Sequence, residues 1–241
     1  MLEKTLGIVI QNIKYNDCSR IIHVFTSKFG RVSFLVNISN KKKSNFKPAI
    51  FQNFSILEID FIRKPKNSIQ RIKEAKLHYN YSTINFDIVK TTISIFLTEI
   101  LYKTLKEETE NQELFNFVKD SVIALDNLES NVSWFHVIFL IKLSQMLGFE
   151  PLNNYSDTNN IFDFQEGLFV AQKPIHDNIF NKTISKVFQQ IIKVEYSQLH
   201  EFKFDNNFKN AILNGLIKYY QIHNESIKQI TSSDILKEVF K

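Results

Sequence analysis

The feature of this sequence that most constrains its fold is a change in the spacing of apolar residues about a third of the way along the chain. Before that point apolar side chains alternate with polar ones, as in Val32, Phe34 and Val36, and a period of two is typical of β-strands with one buried face. Beyond it they recur every three or four residues, which is the spacing of amphipathic α-helices. The sequence therefore predicts a β-rich domain over residues 1–80 and a helical domain over residues 81–241.

Five short alternating runs fill the first domain, and turn-forming residues separate them. The runs begin near Gly7, Ile21, Val32, Leu57 and Ile69. A chain reversal is predicted at Lys28-Phe29-Gly30, because glycine adopts the positive φ that tight turns require. Five strands with early hairpins and a longer connection before the fourth fit a small closed barrel, the five-stranded OB-fold, and the alternative is a small open sandwich.

The second domain is predicted to consist of six helices. They cover about residues 85–106, 114–125, 132–147, 178–194, 206–223 and 233–240. Gly148 is expected to end the third helix as a C-cap. An insert at about residues 153–174 contains two apolar runs, Ile161–Phe164 and Leu168–Val170, on either side of Gly167, and this pattern predicts a small hairpin. The predicted fold class is therefore α+β, an N-terminal OB-fold barrel followed by an all-α domain with a hairpin insert.

Charge is distributed unevenly between the two predicted domains. Residues 1–80 contain 15 Lys and Arg against 5 Asp and Glu, a net charge of +10, whereas the remaining residues carry −5. A positive field concentrated on one small domain attracts polyanions, and phosphate contacts make the binding weaken steeply with salt. OB barrels bind single strands with a basic groove and aromatic platforms, so a nucleic-acid interface is predicted on the barrel.

The candidate contacts lie in or beside the loops and strands of the barrel. The predicted phosphate-binding residues are Lys14, Arg20, Arg31, Lys41, Lys42, Lys43, Lys47, Lys64, Lys66, Arg71 and Lys73. Charge runs such as residues 41–43 are usually solvated surface, but their place in a barrel loop favours nucleic-acid binding. Tyr15, Phe29 and Phe34 are candidate stacking platforms, although core packing is favoured for Phe34 because it lies in an alternating strand.

Motifs for catalysis or cofactor binding are not found in the sequence. None of the five glycines has the spacing of a phosphate-cradling loop. The single cysteine, Cys18, excludes an internal disulfide and a cysteine-based zinc site. The acidic cluster Glu107, Glu108 and Glu110 is typical of a solvated helix end, and His136 on the most apolar helix is typical of a hydrogen-bonded core histidine. The sequence predicts a protein that is not an enzyme and has no cofactor and no small-molecule substrate.

The apolar runs are interrupted by charged residues and shorter than a membrane span, and the N-terminus lacks the features of a secretory signal. No membrane association is expected, and the expected location is the cytoplasm, in association with the nucleoid.

An ordered set of short segments, running the length of the chain, resembles the bacterial RecO family of recombination mediators. The segments are Gly7-Ile8-Val9, Tyr15-Asn16-Asp17, Ser19-Arg20-Ile21, Phe29-Gly30-Arg31, Phe34-Leu35-Val36, Ile72-Lys73-Glu74-Ala75, Phe96–Leu101 and Leu147–Pro151. The resemblance implies an OB-fold joined to a helical domain, binding to single- and double-stranded DNA, and annealing of complementary strands without enzymatic turnover. It also implies cooperation with RecR and with the acidic C-terminal tail of single-strand-binding protein in loading RecA.

The resemblance carries two further expectations for the helical domain. An apolar groove ringed by lysines such as Lys142 or Lys218 is expected to accept the tail of single-strand-binding protein, and the alternative is that these helices only support the barrel. Many family members carry a four-cysteine zinc ribbon after the segment that here reads Leu147–Pro151. Residues 153–174 contain no cysteine, so no zinc is expected. The composition of the whole chain, rich in Phe, Lys and Asn, resembles Bacteroidetes-type members of the family.

Two other classes of function fit parts of the sequence. A general RNA-binding OB module would prefer structured RNA and would not anneal DNA. A metal-dependent nuclease would need acidic ligands that converge near the basic groove. The first 80 residues offer only Asp17, Asp60 and three glutamates, in no recognised ligand spacing.

Overall fold

The computed structural model describes residues 1–37, 46–64, 68–106, 109–201 and 206–239, so the predicted contacts Lys41, Lys42, Lys43 and Lys66 lie outside it. The chain forms two compact units, residues 1–127 and 128–241. The first contains the barrel strands and two helices. The sequence-based division at residue 80 marks where strands give way to helices, and as a domain boundary it stays a prediction.

The barrel is one curled sheet with the strand order β5-β3-β2-β1-β4-β6. Its strands are β1 (Leu2–Lys14), β2 (Ser19–Thr26), β3 (Gly30–Asn37), β4 (Ile56–Ile62), β5 (Ile69–Gln70) and β6 (Ile72–Leu77). The predicted fifth strand is therefore present in two pieces, with Arg71 between them. Since those pieces form the two edges of the sheet, the chain itself joins the edges at Arg71, as expected for a barrel. The predicted OB-fold barrel followed by helices is confirmed.

The predicted alternation produces the barrel core. Val24, Phe34 and Ile59 are fully buried with the other inward residues of the strands, so core packing is confirmed for Phe34. The reversal at Gly30 is also confirmed, with a φ of 58°. Gly7 lies where β1 approaches β2 closely, and a Cβ there would be 2.4 Å from Val24 Cγ1.

Two helices complete the first unit, α1 (Ile88–Thr104) and α2 (Gln112–Asn127). The predicted start of the first helix at residue 85 is wrong. The carboxylate of Asp87 accepts hydrogen bonds from the backbone N–H groups of Val89 and Lys90, so the helix begins after this N-cap. Phe86, which lies within the predicted bounds of this helix, precedes the cap and is 84% exposed.

Asp126 connects the segment after the barrel to α2. Its buried carboxylate accepts hydrogen bonds from the backbone N–H groups of Ser82, Thr83 and Ile84 at 2.9–3.0 Å. The buried ammonium of Lys90 donates to the Asp126 carbonyl at 2.8 Å. These bonds hold the chain leaving the barrel against the end of α2, which explains why the first compact unit continues to residue 127.

The second unit contains four helices and a three-stranded sheet in its described residues, 128–201 and 206–239. The helices are α3 (Phe135–Met146), α4 (Lys182–Ile191), α5 (Asn206–His223) and α6 (Ser232–Val239), and the strands are β7 (Ile161–Asp163), β8 (Leu168–Val170) and β9 (Ile179–Phe180). The predicted hairpin is confirmed by the pairing of Phe162 with Phe169. Gly148, with a φ of 82°, ends α3 as predicted. The predicted start of the fourth helix at residue 178 is wrong, because residues 179–180 form β9 and Asn181 is the N-cap.

Aromatic packing holds the hairpin insert in place. Phe162 lies within 4.9–6.1 Å, between ring centroids, of Phe169, Phe180 and Phe188. Gly215 on α5 leaves room for this cluster, since a Cβ there would lie 2.1 Å from Phe180 Cε1. In the described ranges no three His, Cys, Asp or Glu side chains are arranged to hold a metal ion, so this insert does not fit the zinc that the family resemblance implies for many members.

Of the helices in the described residues, none combines the length and the apolar character needed to cross a membrane.

Candidate nucleic-acid interface

The predicted contacts that the structure describes lie mainly in two places, near opposite ends of β1. The hairpin tip consists of Lys14, Tyr15 and Arg20, and the barrel corner consists of Lys64, Arg71 and Lys73. Lys14 pairs with Arg20 at one end of β1, whereas Leu2 pairs with Ile62, next to the corner, at the other. With a rise of about 3.4 Å per residue, the 13 residues of β1 separate the two places by up to about 40 Å.

The hairpin tip offers one exposed aromatic ring and two cations that already have partners. The Tyr15 side chain is 63% exposed. Lys14 Nζ lies 2.9 Å from Asp17 Oδ1, and Arg20 Nη1 donates to Asn12 Oδ1 at 3.1 Å. Exposed ion pairs contribute little free energy, so Lys14 can exchange its carboxylate for a phosphate at low cost. Asn37 pairs with the neighbouring Ser19, so the chain leaves β3 beside this tip and enters residues 38–45, outside the described structure.

The barrel corner carries three cations for which the described part of the chain provides no carboxylate partner. Lys64, Arg71 and Lys73 are all exposed. Within residues 1–37, 46–64 and 68–80, the ion pairs use Lys4, Lys14, Lys76 and His78 as their cations. No carboxylate of the described residues offsets the charge of the three corner cations, so they can bind an external anion. In nucleic acids, lysine and arginine bind the phosphate oxygens.

A β-bulge places Lys73 at this corner. Asp60 pairs with Glu74 and Phe61 pairs with Ile72, so Lys73 is an extra residue in β6 with no partner in β4. Bulges redirect side chains relative to the regular alternation. Lys73 accordingly lines the cavity at the corner, whereas its neighbour Glu74 lines a different one.

The corner cavity has a volume of about 320 Å³ and combines apolar walls with the three cations. Its apolar lining comes from Ile62, Ile69 and Ile72. Gln70 fixes one side, since its side-chain carbonyl accepts from the Lys64 backbone N–H at 2.9 Å and its amide donates to the Lys64 carbonyl at 3.0 Å. The volume is at the small end of the roughly 300–1,000 Å³ typical of ligand pockets.

A second cavity, of about 430 Å³, lies on the β1–β4–β6 side of the sheet and has balanced charge. Lys4 pairs with Asp60 at 3.0 Å and Lys76 pairs with Glu58 at 2.8 Å along its lining. Because its carboxylates offset its lysines, this cavity is a poor site for phosphate compared with the corner.

Arg31 lies in the barrel but its guanidinium faces α1. Arg31 Nη1 donates to the Tyr102 carbonyl at 3.1 Å, and its guanidinium carbon lies 5.2 Å from the Tyr102 ring centroid. Tyr102 is in the last turn of α1, where the carbonyl groups carry partial negative charge. Burial, and secondly the charge of Arg31, lower the pKa of the adjacent His23 below its usual value. The structure thus gives Arg31 a partner within its own unit, and a phosphate contact there stays a prediction.

Phe29 and Lys47 have contrasting surroundings. The Arg63 guanidinium carbon lies 4.6 Å from the centroid of the Phe29 ring, and that ring also meets the edge of Phe61 at 5.7 Å. A base could stack on Phe29 only after displacing Arg63. Lys47 is exposed and directly precedes a short 3-10 turn, Pro48–Phe51.

Sequence reasoning missed two exposed cations of the barrel, Arg63, which is next to Lys64, and Lys28, which lines the second cavity. Arg63 directly follows β4 and precedes Lys64, and Lys28 is an exposed residue of the turn that contains Phe29. The adjacent charges Arg63-Lys64 at a strand end and a lysine beside an aromatic residue in a tight turn were the available signals.

The two lysines proposed for a protein partner lie on α3 and α5. Lys142 Nζ is 2.6 Å from Glu195 Oε1 and 5.8 Å from the Tyr196 ring centroid. Lys218 is exposed on α5. A carboxylate ligand would therefore have to replace Glu195 at Lys142, whereas Lys218 has no such competitor in the described residues.

The comparisons with known proteins cover nearly all of the chain. Residues 1–81 match the family "Recombination protein O N terminal", and residues 85–229 match "Recombination protein O C terminal". A protein from Azobacteroides pseudotrichonymphae named "DNA repair protein RecO" is 36% identical over 240 residues, which is 100% of both chains. Proteins of the same name from Phocaeicola vulgatus and Flavobacterium psychrophilum are 34% and 35% identical and cover 100% and 98% of both chains. The three residues between the two matched regions, 82–84, are those that Asp126 binds.

Proposed function

The chain belongs to the RecO family of DNA repair proteins, and on this basis we propose that it acts as a recombination mediator. It binds single- and double-stranded DNA, anneals complementary strands, and with RecR helps to load RecA onto DNA coated by single-strand-binding protein. It performs these steps by binding alone, without catalytic turnover, and it works at the nucleoid. DNA repair and recombination are the broader role that family membership supports.

The observation that carries the DNA-binding part of this proposal is the barrel corner. Lys64, Arg71 and Lys73 are exposed, and none has a carboxylate partner among the described residues. They lie in the domain with a net charge of +10. Cations that contact only phosphates hold DNA without reading its sequence. This is what an annealing protein requires, because it must bring together strands of any complementary sequence.

Annealing follows from the same charges. Two complementary strands repel each other through their phosphates, and a protein that neutralises some of those phosphates lowers the repulsion. Bases that remain uncovered are then free to pair. The hairpin tip, at the other end of β1, and Lys41, Lys42 and Lys43, which lie outside the described residues, are proposed as further phosphate contacts.

The test compares annealing of complementary strands, coated with single-strand-binding protein, by the wild-type chain and by a Lys64→Ala, Arg71→Ala, Lys73→Ala variant. A matched control removes three exposed lysines of the second unit, Lys182, Lys186 and Lys193, so that both variants lose three positive charges. We expect the corner variant to anneal at least tenfold more slowly. The slope of log affinity against log salt for single strands should become shallower by about 2, since each lost phosphate contact contributes about 0.7.

Equal annealing rates for the corner variant, the control and the wild type would contradict the role of the corner. A second variant, with Lys41, Lys42, Lys43 and Lys47 changed to Ala, measures the loop contribution in the same assay. If the wild-type chain does not anneal DNA and instead binds structured RNA, the general RNA-binding module becomes the better description.

Partner binding is proposed for the helical part on the strength of family membership. The tail of single-strand-binding protein combines acidic residues with an apolar end, and Lys218 is the more available of the two predicted anchors because Glu195 neutralises Lys142. In a titration with the tail peptide, Lys218→Ala should weaken binding more than Lys142→Ala. No binding of the wild-type chain at low salt would favour helices that only support the barrel.

A further inference from the structure

Phosphate binding does not account for the apolar walls of the corner cavity. Ile62 is 51% exposed and Ile69 is 39% exposed. Single exposed apolar residues are common on protein surfaces, but these two line one cavity together with the half-buried Ile72. An apolar cavity bordered by three cations that have no carboxylate partner among the described residues fits a ligand that carries an apolar surface next to negative charge.

The walls of this cavity are fixed by the sheet. Ile69 pairs with Ser33 and Ile72 pairs with Phe61, so both backbones are held by neighbouring strands. The side chain of Gln70 is buried and bonded in both directions to the Lys64 backbone. The described walls of the cavity are therefore held by the barrel, and a ligand can bind against them without the cost of ordering them.

We infer that the corner cavity takes one unstacked nucleobase of a single DNA strand, while Lys64, Arg71 and Lys73 hold the phosphates on either side of it. The inference rests on the proposed DNA-binding function and adds a strand preference to it. A nucleobase has two apolar faces and lies between two phosphates, which matches isoleucine walls with cations at the rim. In enzymes that flip a base out of the duplex, aromatic and apolar side chains likewise pack against the faces of the base.

The cavity should accept any base. The amide group of Gln70 is already bonded to backbone atoms, and the isoleucines offer no hydrogen bonds to the edge of a base. A base in a duplex would first have to leave its stack and its partner, which costs a few kcal/mol. The cavity therefore favours single strands over duplex, whereas the cations bind both.

The experiment uses the full chain with Ile62→Ala and Ile69→Ala combined, and Ile88→Ala as the control. Ile88 is an isoleucine of α1 that is 69% exposed and lies outside the cavity. Affinities for an oligothymidine and for a duplex of equal length are measured at one salt concentration, and circular dichroism verifies that each variant is folded. We expect the double variant to lose about five- to twentyfold in affinity for the single strand, in line with the loss of one stacked base. Its affinity for the duplex and its salt dependence should not change.

Three results would overturn the inference. One is an unchanged affinity of the double variant for the single strand, and another is an equal loss for single strand and duplex, which would mean that the isoleucines only support the cations. The third is an unchanged DNA affinity with lost binding of an acidic, apolar-ended peptide, which would make the cavity a peptide site.

The Lys64, Arg71, Lys73 variant separates the two proposals. If that variant loses affinity for both forms of DNA and the isoleucine variant loses none, only the cavity inference fails. If the charge variant binds DNA with wild-type affinity, the result counts against the DNA site itself.

Discussion

Replacement of Asp126 by Asn tests how the barrel is joined to the helices that follow it. The carboxylate is 1% exposed and accepts hydrogen bonds from three backbone N–H groups and from the hydroxyl groups of Ser82 and Thr83. Burial alone would raise the pKa of this carboxyl. The backbone N–H groups of Ser82, Ile84 and Thr83 and the Ser82 hydroxyl outweigh burial and lower the pKa from its usual 3.8 to about 2.

The magnitude follows from this difference. Because the pKa of Asp126 falls from 3.8 in the unfolded chain to about 2 in the folded one, the ionised carboxylate contributes about 2 kcal/mol of stability at neutral pH. Asparagine removes this contribution. Its amide N–H group would also face backbone N–H and hydroxyl groups that are themselves donors, which increases the loss of stability by about 1 kcal/mol. We expect Asp126→Asn to lower the free energy of unfolding of the first unit by about 3 kcal/mol, measured by urea denaturation followed by circular dichroism at pH 7.

The same contribution gives the wild type a defined acid sensitivity. Because the pKa of Asp126 is lower in the folded chain, its stabilisation is complete above about pH 4 and is lost as the pH falls through about 2. This part of the acid-induced loss should be missing in the Asn variant. Asp120→Asn is the matched control, since Asp120 lies on the same helix with its side chain 67% exposed, and it should change stability by less than about 0.5 kcal/mol. A variant at Asp126 as stable as the Asp120 control, with the same loss of stability between pH 4 and 2 as the wild type, would refute the reasoning.

Three further outcomes are expected. Gly215→Ala should destabilise the second unit by about 1–3 kcal/mol through its clash with Phe180, and urea unfolding followed by the fluorescence of Trp134 measures this; wild-type stability would show that the ring moves freely. Arg31→Ala should raise the pKa of His23 toward 6.5 in an NMR titration, but only in part, because burial is the larger cause. Affinity for oligothymidine should rise with length until the strand spans the roughly 40 Å between the hairpin tip and the barrel corner, which takes at most about 12 nucleotides at the roughly 3.4 Å rise of a stacked strand and fewer when the strand is extended; a plateau at two or three nucleotides would show that the two places do not share a strand.

Much of the fold could be predicted because each element buries its own face in a regular pattern. Alternation identified β1 to β4, and the three- and four-residue spacing placed α5 at residues 206–223, as observed. The errors occur where a short-range interaction outweighs the pattern. Phe86 satisfies the helical spacing, but the Asp87 cap starts the helix after it. The two residues of β9 are too few to show a period, and their strand pairing with β7 depends on residues about 17 positions earlier in the chain.

The candidate site was less predictable, because a sequence shows which residues are cations but not which cations have partners. Arg31 and Arg71 are equivalent by composition, yet the first binds the end of α1 and the second is exposed between β5 and β6. The role of Asp126 was equally hidden. Its partners lie more than 40 positions earlier in the chain, and nothing in its own segment distinguishes it from the exposed Asp120.

The bulge in β6 determines which side chains surround each charged residue at this edge of the barrel. Asp60 and Glu74 are directly opposite each other on β4 and β6, and Lys4 and Lys76 accompany them around the second cavity. Because Lys73 is the extra residue, its side chain joins the corner and not this balanced group. In a regular strand Lys73 would lie opposite the buried Phe61, whereas the bulge gives that place to Ile72 and leaves Lys73 exposed at the corner. The bulge thus places a cation beside the isoleucine-lined cavity and away from the carboxylates that line the second one, where the proposed DNA contact requires it.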